Sequence, residues 1–231
     1  MDRRRMLSNL AVAPFALTGL AGLRNEALAE TKSAHGPMDG YFPNFTFRTH
    51  DGKSVRFYDD MVKDKIVTFN FMYTHCEGSC PLVMSRLVKV QKMLEKRVGR
   101  DIFMYSFTLK PEEDTPKILK EYAKMYGVKH GWQFLTGDPE ELKKIRYKLG
   151  MWDTNPEGDA DVKQHTSMVR FGNDKLKRWC MCPGVINPAV IAKYILFVDS
   201  PKNRIDRQMS AQKMALEAQS ARTKTESHLA L

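Results

Sequence analysis

The stretch Phe69–Leu87, FNFMYTHCEGSCPLVMSRL, sets Cys76 and Cys80 four positions apart, between an apolar run and a segment that opens with Pro81. The run leading into it, IVTFNFMY over residues 66–73, is nearly continuous, the pattern of a strand buried on both faces of a sheet. Pro81 suits the first turn of a helix, where its missing N–H costs nothing. Leu82, Met84 or Ser85, Leu87, Val88, Val90, Met93 and Leu94 then supply a helical apolar stripe. Strand leads into helix, and the two thiols fall at the helix N-terminus. Amide donors and the helix dipole at such a position favour the thiolate, the species that both attacks disulfides and binds metal.

Upstream, residues 43–60 (PNFTFRTHDGKSVRFYDD) alternate aromatic and polar residues around Asp51-Gly52, a hairpin signal. Downstream, residues 102–109 (IFMYSFTL) read as a second buried strand. Asp114-Thr115-Pro116 opens a helix that runs to about Tyr126 and ends at Gly127, and Gly137-Asp138-Pro139 opens another that runs to Leu149 and ends at Gly150. Residues 166–172 and 176–179 form a predicted hairpin turning at Asn173-Asp174, followed by a helix from Pro188 to about Val198. The order β-hairpin, βαβα, ββα, with a dithiol where the first central strand meets its helix, is the layout of an α/β thioredoxin-like fold with an N-terminal β-hairpin extension. One domain over residues 41–200 is expected, because 231 residues with 42% apolar content suffice for one sizeable core.

The chain opens with Arg3-Arg4-Arg5, an apolar stretch broken by Pro14 and Gly19, and Ala27-Leu28-Ala29, which has the form of a signal-peptidase site. Residues 1–29 therefore read as a cleavable export signal of twin-arginine-like form, with an uncleaved membrane anchor over Met6 to Leu23 as the alternative. Polar residues 30–40 read as a linker. The expected location is the periplasm or another exported compartment, with a soluble domain after cleavage. Losing Arg3, Arg4, Arg5 and Arg24 against Asp2 and Glu26 lowers the formal charge from +10 but leaves it basic. Lysines alternate with acids, as in KPEEDTPKILKEYAK over residues 110–124, so no nucleic-acid stripe stands out. Charge of this kind supports peripheral proximity to an anionic membrane surface or an acidic partner. Residues 201–231 form a polar, basic tail with an Ala-rich helical stretch. Met84, Met93, Met104 and Met125 fall in core patterns, which leaves Met209 and Met214 in the tail as the methionines that packing does not explain.

Three chemistries are open to Cys76 and Cys80: a structural disulfide, a catalytic dithiol, or part of a metal site. Four cysteines in an exported protein suggest disulfides by default. A bridge between positions 76 and 80 would close so small a loop that it would stabilise little. Compared with Cys-x2-Cys, the Cys-x3-Cys spacing gives the sulfurs more room to spread around one ion. Two thiolates suit soft Cu(I), with zinc as the chemical alternative, and either ion would seek a further ligand. Of the six histidines, His35 and His228 lie towards the ends of the chain, His50 in a turn, His75 beside the dithiol and His130 before Gly131. His165 stands at the entry to the late strand, which in a thioredoxin-like topology faces the dithiol.

The chain resembles the Sco/SenC family of copper metallochaperones, which has a thioredoxin-like fold. The resemblance is carried by NFTFRTHDGKSV, FNFMYTHCEGSCP, PEEDTPKILKEYAKMYG, WQFLTGDPEELKKIRYKLG and QHTSMVRFG, within residues 43–199. It implies that Cys76, Cys80 and His165 bind copper as Cu(I) or Cu(II). The implied partners are a copper-enzyme client, such as a cytochrome oxidase subunit whose binuclear centre is matured, and a copper donor protein. Some members instead reduce their client's cysteines, so a metal-free thiol:disulfide oxidoreductase using Cys76 and Cys80 is the alternative function. No peroxidase motif surrounds Cys76. Two positions depart from the family pattern: Lys110 replaces an aspartate, and Gln164 replaces an acid before the histidine. Lys110 adds a positive charge and Gln164 removes a negative one, a shift that favours the less positive bound state.

RWCMCPGV, with Cys180 and Cys182, lies outside that resemblance. Strand alternation puts both sulfurs on one face, and a turn at Asn173-Asp174 would set position 182 opposite His165. Cys180 and Cys182 are thus candidates for a second copper or redox site that exchanges metal or electrons with Cys76 and Cys80.

Overall fold

The computed structural model describes residues 40–161 and 167–201. The expected export signal, residues 30–39 of the expected linker, His165 with its neighbours at 162–166, and the tail beyond Pro201 lie outside the described residues.

Within the described residues the sheet has seven strands in the order β2-β1-β5-β4-β3-β6-β7. In chain order they are β1 (Thr46–Thr49), β2 (Ser54–Arg56), β3 (Ile66–Met72), β4 (Ile102–Thr108), β5 (Trp132–Thr136), β6 (Met168–Asn173) and β7 (Arg178–Pro183). The helices are α1 (Cys80–Met93), α2 (Pro116–Met125), α3 (Pro139–Lys148), α4 (Pro156–Ala160) and α5 (Pro188–Phe197). Strands β3, β4 and β5 run parallel, while β6 pairs antiparallel with β3, and β1 pairs antiparallel with β5. This is the expected thioredoxin-like α/β architecture, with the β1–β2 hairpin as its N-terminal extension.

Alternation along β3 divides the core. Ile66 and Met72 face a cluster built with α1, α2 and α5, whereas Val67, Phe69 and Phe71 face a second cluster with Phe47, Phe57, Phe107 and α3. All seven residues of β3 are buried. Each large apolar side chain removed from water there contributes about 1.5–3 kcal/mol. A polar chain crosses the first face: Trp132 Nε1 donates to Ser106 Oγ (2.9 Å), which donates to Asn70 Oδ1 (2.7 Å).

Helices α2, α3 and α5 start on the signals legible in the sequence. Pro stands in the first turn of each, and Thr115, Asp138 and Asn187 accept hydrogen bonds from Ile118, Glu141 and Ala189 amides. Helix α1 differs, because Ser79 at its N-cap makes no side-chain cap.

Four expectations need correction. The α1 stripe is shifted: Cys80, Val83, Met84, Leu87, Val90 and Gln91 are buried, while Leu82 and Met93 are exposed. The inward side chain of Cys80 sets the helical phase, which displaces both. Met125, likewise assigned to the core, is 69% exposed. Strand β5, with Gln133 interrupting a short apolar run, and the single π-type turn Phe57–Val62 carried no periodic signal. Finally, the late hairpin turns over Asp174–Lys177, so Cys182 pairs with Val169 and not with position 165. Asn173 stays in the ladder opposite Arg178, its side chain accepting from Leu176 N. Asp174 is held inward, 4% exposed, accepting from Asp64 N and Lys177 Nζ.

Candidate metal centre

The loop from Tyr73 to Ser79 joins β3 to α1 and carries Cys76, and Cys80 is the first residue of α1. Its path is fixed by Asp114, 1% exposed just before α2. The carboxylate accepts from Thr74 N (3.2 Å), the Thr74 hydroxyl and the Thr108 hydroxyl. One buried carboxylate therefore ties the cysteine loop to the end of β4. The Asp-Thr-Pro sequence signalled a helix start, but nothing in it announced this second role.

Cys76 and Cys80 are not bridged to each other; they are 8% and 2% exposed and share one apolar cluster with Tyr73, Val83 and Met84. Their electrostatics diverge. Burial pushes Cys76 up, but hydrogen bonds from the Cys80 thiol, the Cys80 and Gly78 amides and the Tyr73 hydroxyl outweigh it and hold Cys76 below its ordinary value. Cys80 is pushed up to about 12, first by burial and then by its contact with Cys76. Tyr73 is raised to about 12, chiefly by burial and then by the Cys76 contact, so it stays protonated as a donor. The uncapped start of α1 is part of this arrangement, since the Cys80 amide serves the Cys76 sulfur.

Lys110 stands beside the site, its ammonium 5.2 Å from the centre of the Tyr73 ring and 2.9 Å from Glu113 Oε1. The departure at this position thus brings positive charge next to the thiols' hydrogen-bond donor. His75 is exposed, with its Nδ1 3.2 Å from the Thr74 hydroxyl. His50 Nδ1 accepts from Phe134 N, and His130 lies against Gly99. Among the described residues no group of three or more His, Cys, Asp or Glu side chains is placed to hold one ion. His165 lies outside the described residues. Two positions after it, Ser167 donates to Ser79 Oγ at 2.6 Å, directly before Cys80.

The second pair lies on β7. Phe171 pairs with Cys180 and Val169 with Cys182 in a continuous antiparallel ladder. Cys180 is exposed and Cys182 is 3% exposed, within the same apolar cluster as Cys76 and Cys80. Burial and the charge of Cys180 push Cys182 up to about 11. Gly184 closes the strand against the first site, donating to Ser167 O at 2.6 Å, and any Cβ there would stand 2.9 Å from that oxygen and from Val83 Cγ1. The missing side chain lets the end of β7 approach α1.

Residues 34–195 match the family described as SCO1/SenC. The chain is similar to the SCO1 protein homolog of Bacillus subtilis, 32% identical over 143 residues that span 60% of this chain and 72% of the relative. Among solved structures it is similar to BsSco, a member of the Sco family of cytochrome c oxidase assembly proteins in which a disulfide switch was identified, with 31% identity, a TM-score of 0.54, and 67% and 90% of the two chains covered. It shares its fold with copper-bound ScoI of Arabidopsis thaliana, with 22% identity, a TM-score of 0.52 and 66% and 93% coverage. No described helix is long and apolar enough to cross a membrane.

Proposed function

The chain belongs to the SCO1/SenC family, and from that premise we propose that it is an exported copper metallochaperone that holds copper through Cys76, Cys80 and His165. Its cargo goes to the copper centre of a respiratory oxidase or related copper enzyme, supplied in turn by a copper donor protein. The tie of BsSco to cytochrome c oxidase assembly supports that class of client.

The observation that carries the reading is the first thiol pair: two sulfurs in hydrogen-bonding contact at the start of α1, with no group of three His, Cys, Asp or Glu donors among the described residues. Soft Cu(I) accepts such thiolates, and an imidazole completes a three-donor set. Ser167, two positions after His165 in the sequence, bonds to Ser79, the residue before Cys80. Cu(I) with two thiolates and a neutral imidazole carries one negative charge. Lys110 beside Tyr73 favours that state over the neutral Cu(II) counterpart.

A second reading has its own observation. Cys76 held below and Cys80 held well above the ordinary thiol value is the division between an attacking and a resolving thiol. The protein could thus also reduce its client's cysteines, with Cys76 attacking the client disulfide and Cys80 releasing the mixed disulfide as a Cys76–Cys80 bond.

An anaerobic Cu(I) titration of the reduced protein against bicinchoninate tests the copper reading. Cys76→Ser or Cys80→Ser should each abolish one tight equivalent, and His165→Ala should weaken that equivalent by roughly 10–100-fold or more. Retention of that equivalent in Cys76→Ser would overturn the reading. Failure to bind Cu(I) with disulfide reduction intact would leave the oxidoreductase alone.

A further inference from the structure

The two sulfurs of β7 stand in a geometry that separates the chemistries open to them. In a strand, residues two apart project to the same face at a spacing of about 6.6 Å, and the ladder with β6 is continuous through both positions. A disulfide needs its Cβ atoms about 3.8 Å apart, so bridging Cys180 to Cys182 would require the strand to leave its ladder. One metal ion asks for less. With metal–sulfur bonds of about 2.3 Å, a linear S–M–S unit spans about 4.6 Å, which the two side chains reach by leaning towards each other.

We propose that Cys180 and Cys182 form a second, two-coordinate Cu(I) site on the edge strand, distinct from the site at Cys76 and Cys80. The sulfurs share an open groove of about 500 Å³ walled by Phe171, Ile186, Tyr194 and Phe197. Among the described residues neither His nor carboxylate lines it. Zinc, which takes four donors, is poorly served by two thiolates, whereas a soft monovalent ion accepts them alone. Binding is a ligand exchange without redox change: each thiol releases one proton to solvent, Cu(I) enters with its charge unchanged, and the unit carries one net negative charge. Cys182 anchors the ion inside the groove. Exposed Cys180 leaves it open to an incoming thiolate, so this position exchanges its copper more readily than the first.

The test is the anaerobic Cu(I) titration of the reduced full chain with bicinchoninate as competitor. Wild type should bind two equivalents, the second lost at lower chelator concentration. Cys180→Ser, an exposed substitution that leaves the core intact, should bind one, and so should Cys182→Ala and the Cys76→Ser/Cys80→Ser double variant. Two equivalents retained by Cys180→Ser, or none by the Cys76→Ser/Cys80→Ser variant with its fold intact by circular dichroism, would overturn the proposal. The proposal takes from the family reading only the supply of Cu(I). An unchanged first equivalent in His165→Ala would contradict that reading's three-donor set and leave the second site standing.

Discussion

The molecule carries two cysteine pairs, with Cys76, Cys80 and Cys182 in one apolar cluster and Cys180 exposed beside it, and the backbone beneath each pair makes them different chemical objects. Cys76 and Cys80 sit where a loop enters α1, so that the sulfurs meet each other, two amides and the Tyr73 hydroxyl. Cys180 and Cys182 sit on β7, whose extended ladder holds them on one face but apart. In the loop the thiols split, one below its ordinary value and the other raised to about 12. On the strand, burial raises Cys182 to about 11. Spacing along the chain acquires chemical meaning only through the backbone that carries it.

The largest way to break the contrast is to release the loop. Asp114→Ala leaves the Thr74 and Thr108 hydroxyls and the Thr74 amide without their acceptor, and should cost about 3 kcal/mol in denaturant unfolding. The same variant should raise Cys76 towards the ordinary thiol value, read as a rightward shift in the pH profile of its alkylation. Cys180 alkylation should not move. An unshifted Cys76 profile would mean that Asp114 has no hold on the first pair.

Tyr73→Phe is a gentler change, removing one donor to the Cys76 sulfur and leaving the ring in place. The alkylation profile of Cys76 should move to higher pH, by less than in Asp114→Ala. A shift no larger than that of a remote tyrosine variant would assign the low Cys76 value to the amides alone.

The smallest effect concerns alkaline stability of the reduced, metal-free protein. Cys80 and Cys182 have folded values raised to about 12 and about 11 from 9.0, so the stability they contribute is fully present below pH 9.0 and lost as pH climbs towards the folded values. The fall should be on the order of 1 kcal/mol by pH 9.5 and smaller in Cys182→Ala. An equal fall in the variant would show that Cys182 is not the buried thiol described.

How far the sequence carried the account follows from the same contrast. β3, the start of α1 at Pro81 and the proline-opened helices were legible because each rests on a local signal: a continuous apolar run, a fixed φ, or a side-chain cap. The phase of α1 was not, because it depends on Cys80 pointing inward, which only the packing of α1 on the sheet decides. Asp114, Tyr73 and Gly184 escaped for a related reason. Asp114 and Gly184 act on residues distant in sequence, through hydrogen bonds to Thr74 and Ser167, and Tyr73 meets Cys76 only through the path of the folded loop. The late hairpin misled by four positions in its pairing sum because Asp174, the apparent turn residue, is drawn inward by Asp64 and Lys177. That error had set Cys182 opposite His165, and the observed register sets it opposite Val169.

X-ray absorption of the Cu(I)-loaded Cys180→Ser variant, in which only the first site is filled, tests the central claim most directly. Two sulfur donors and one nitrogen donor are expected, with the nitrogen lost on adding His165→Ala. A nitrogen signal that survives His165→Ala, or a first shell of sulfur alone before it, would contradict a copper centre built from Cys76, Cys80 and His165.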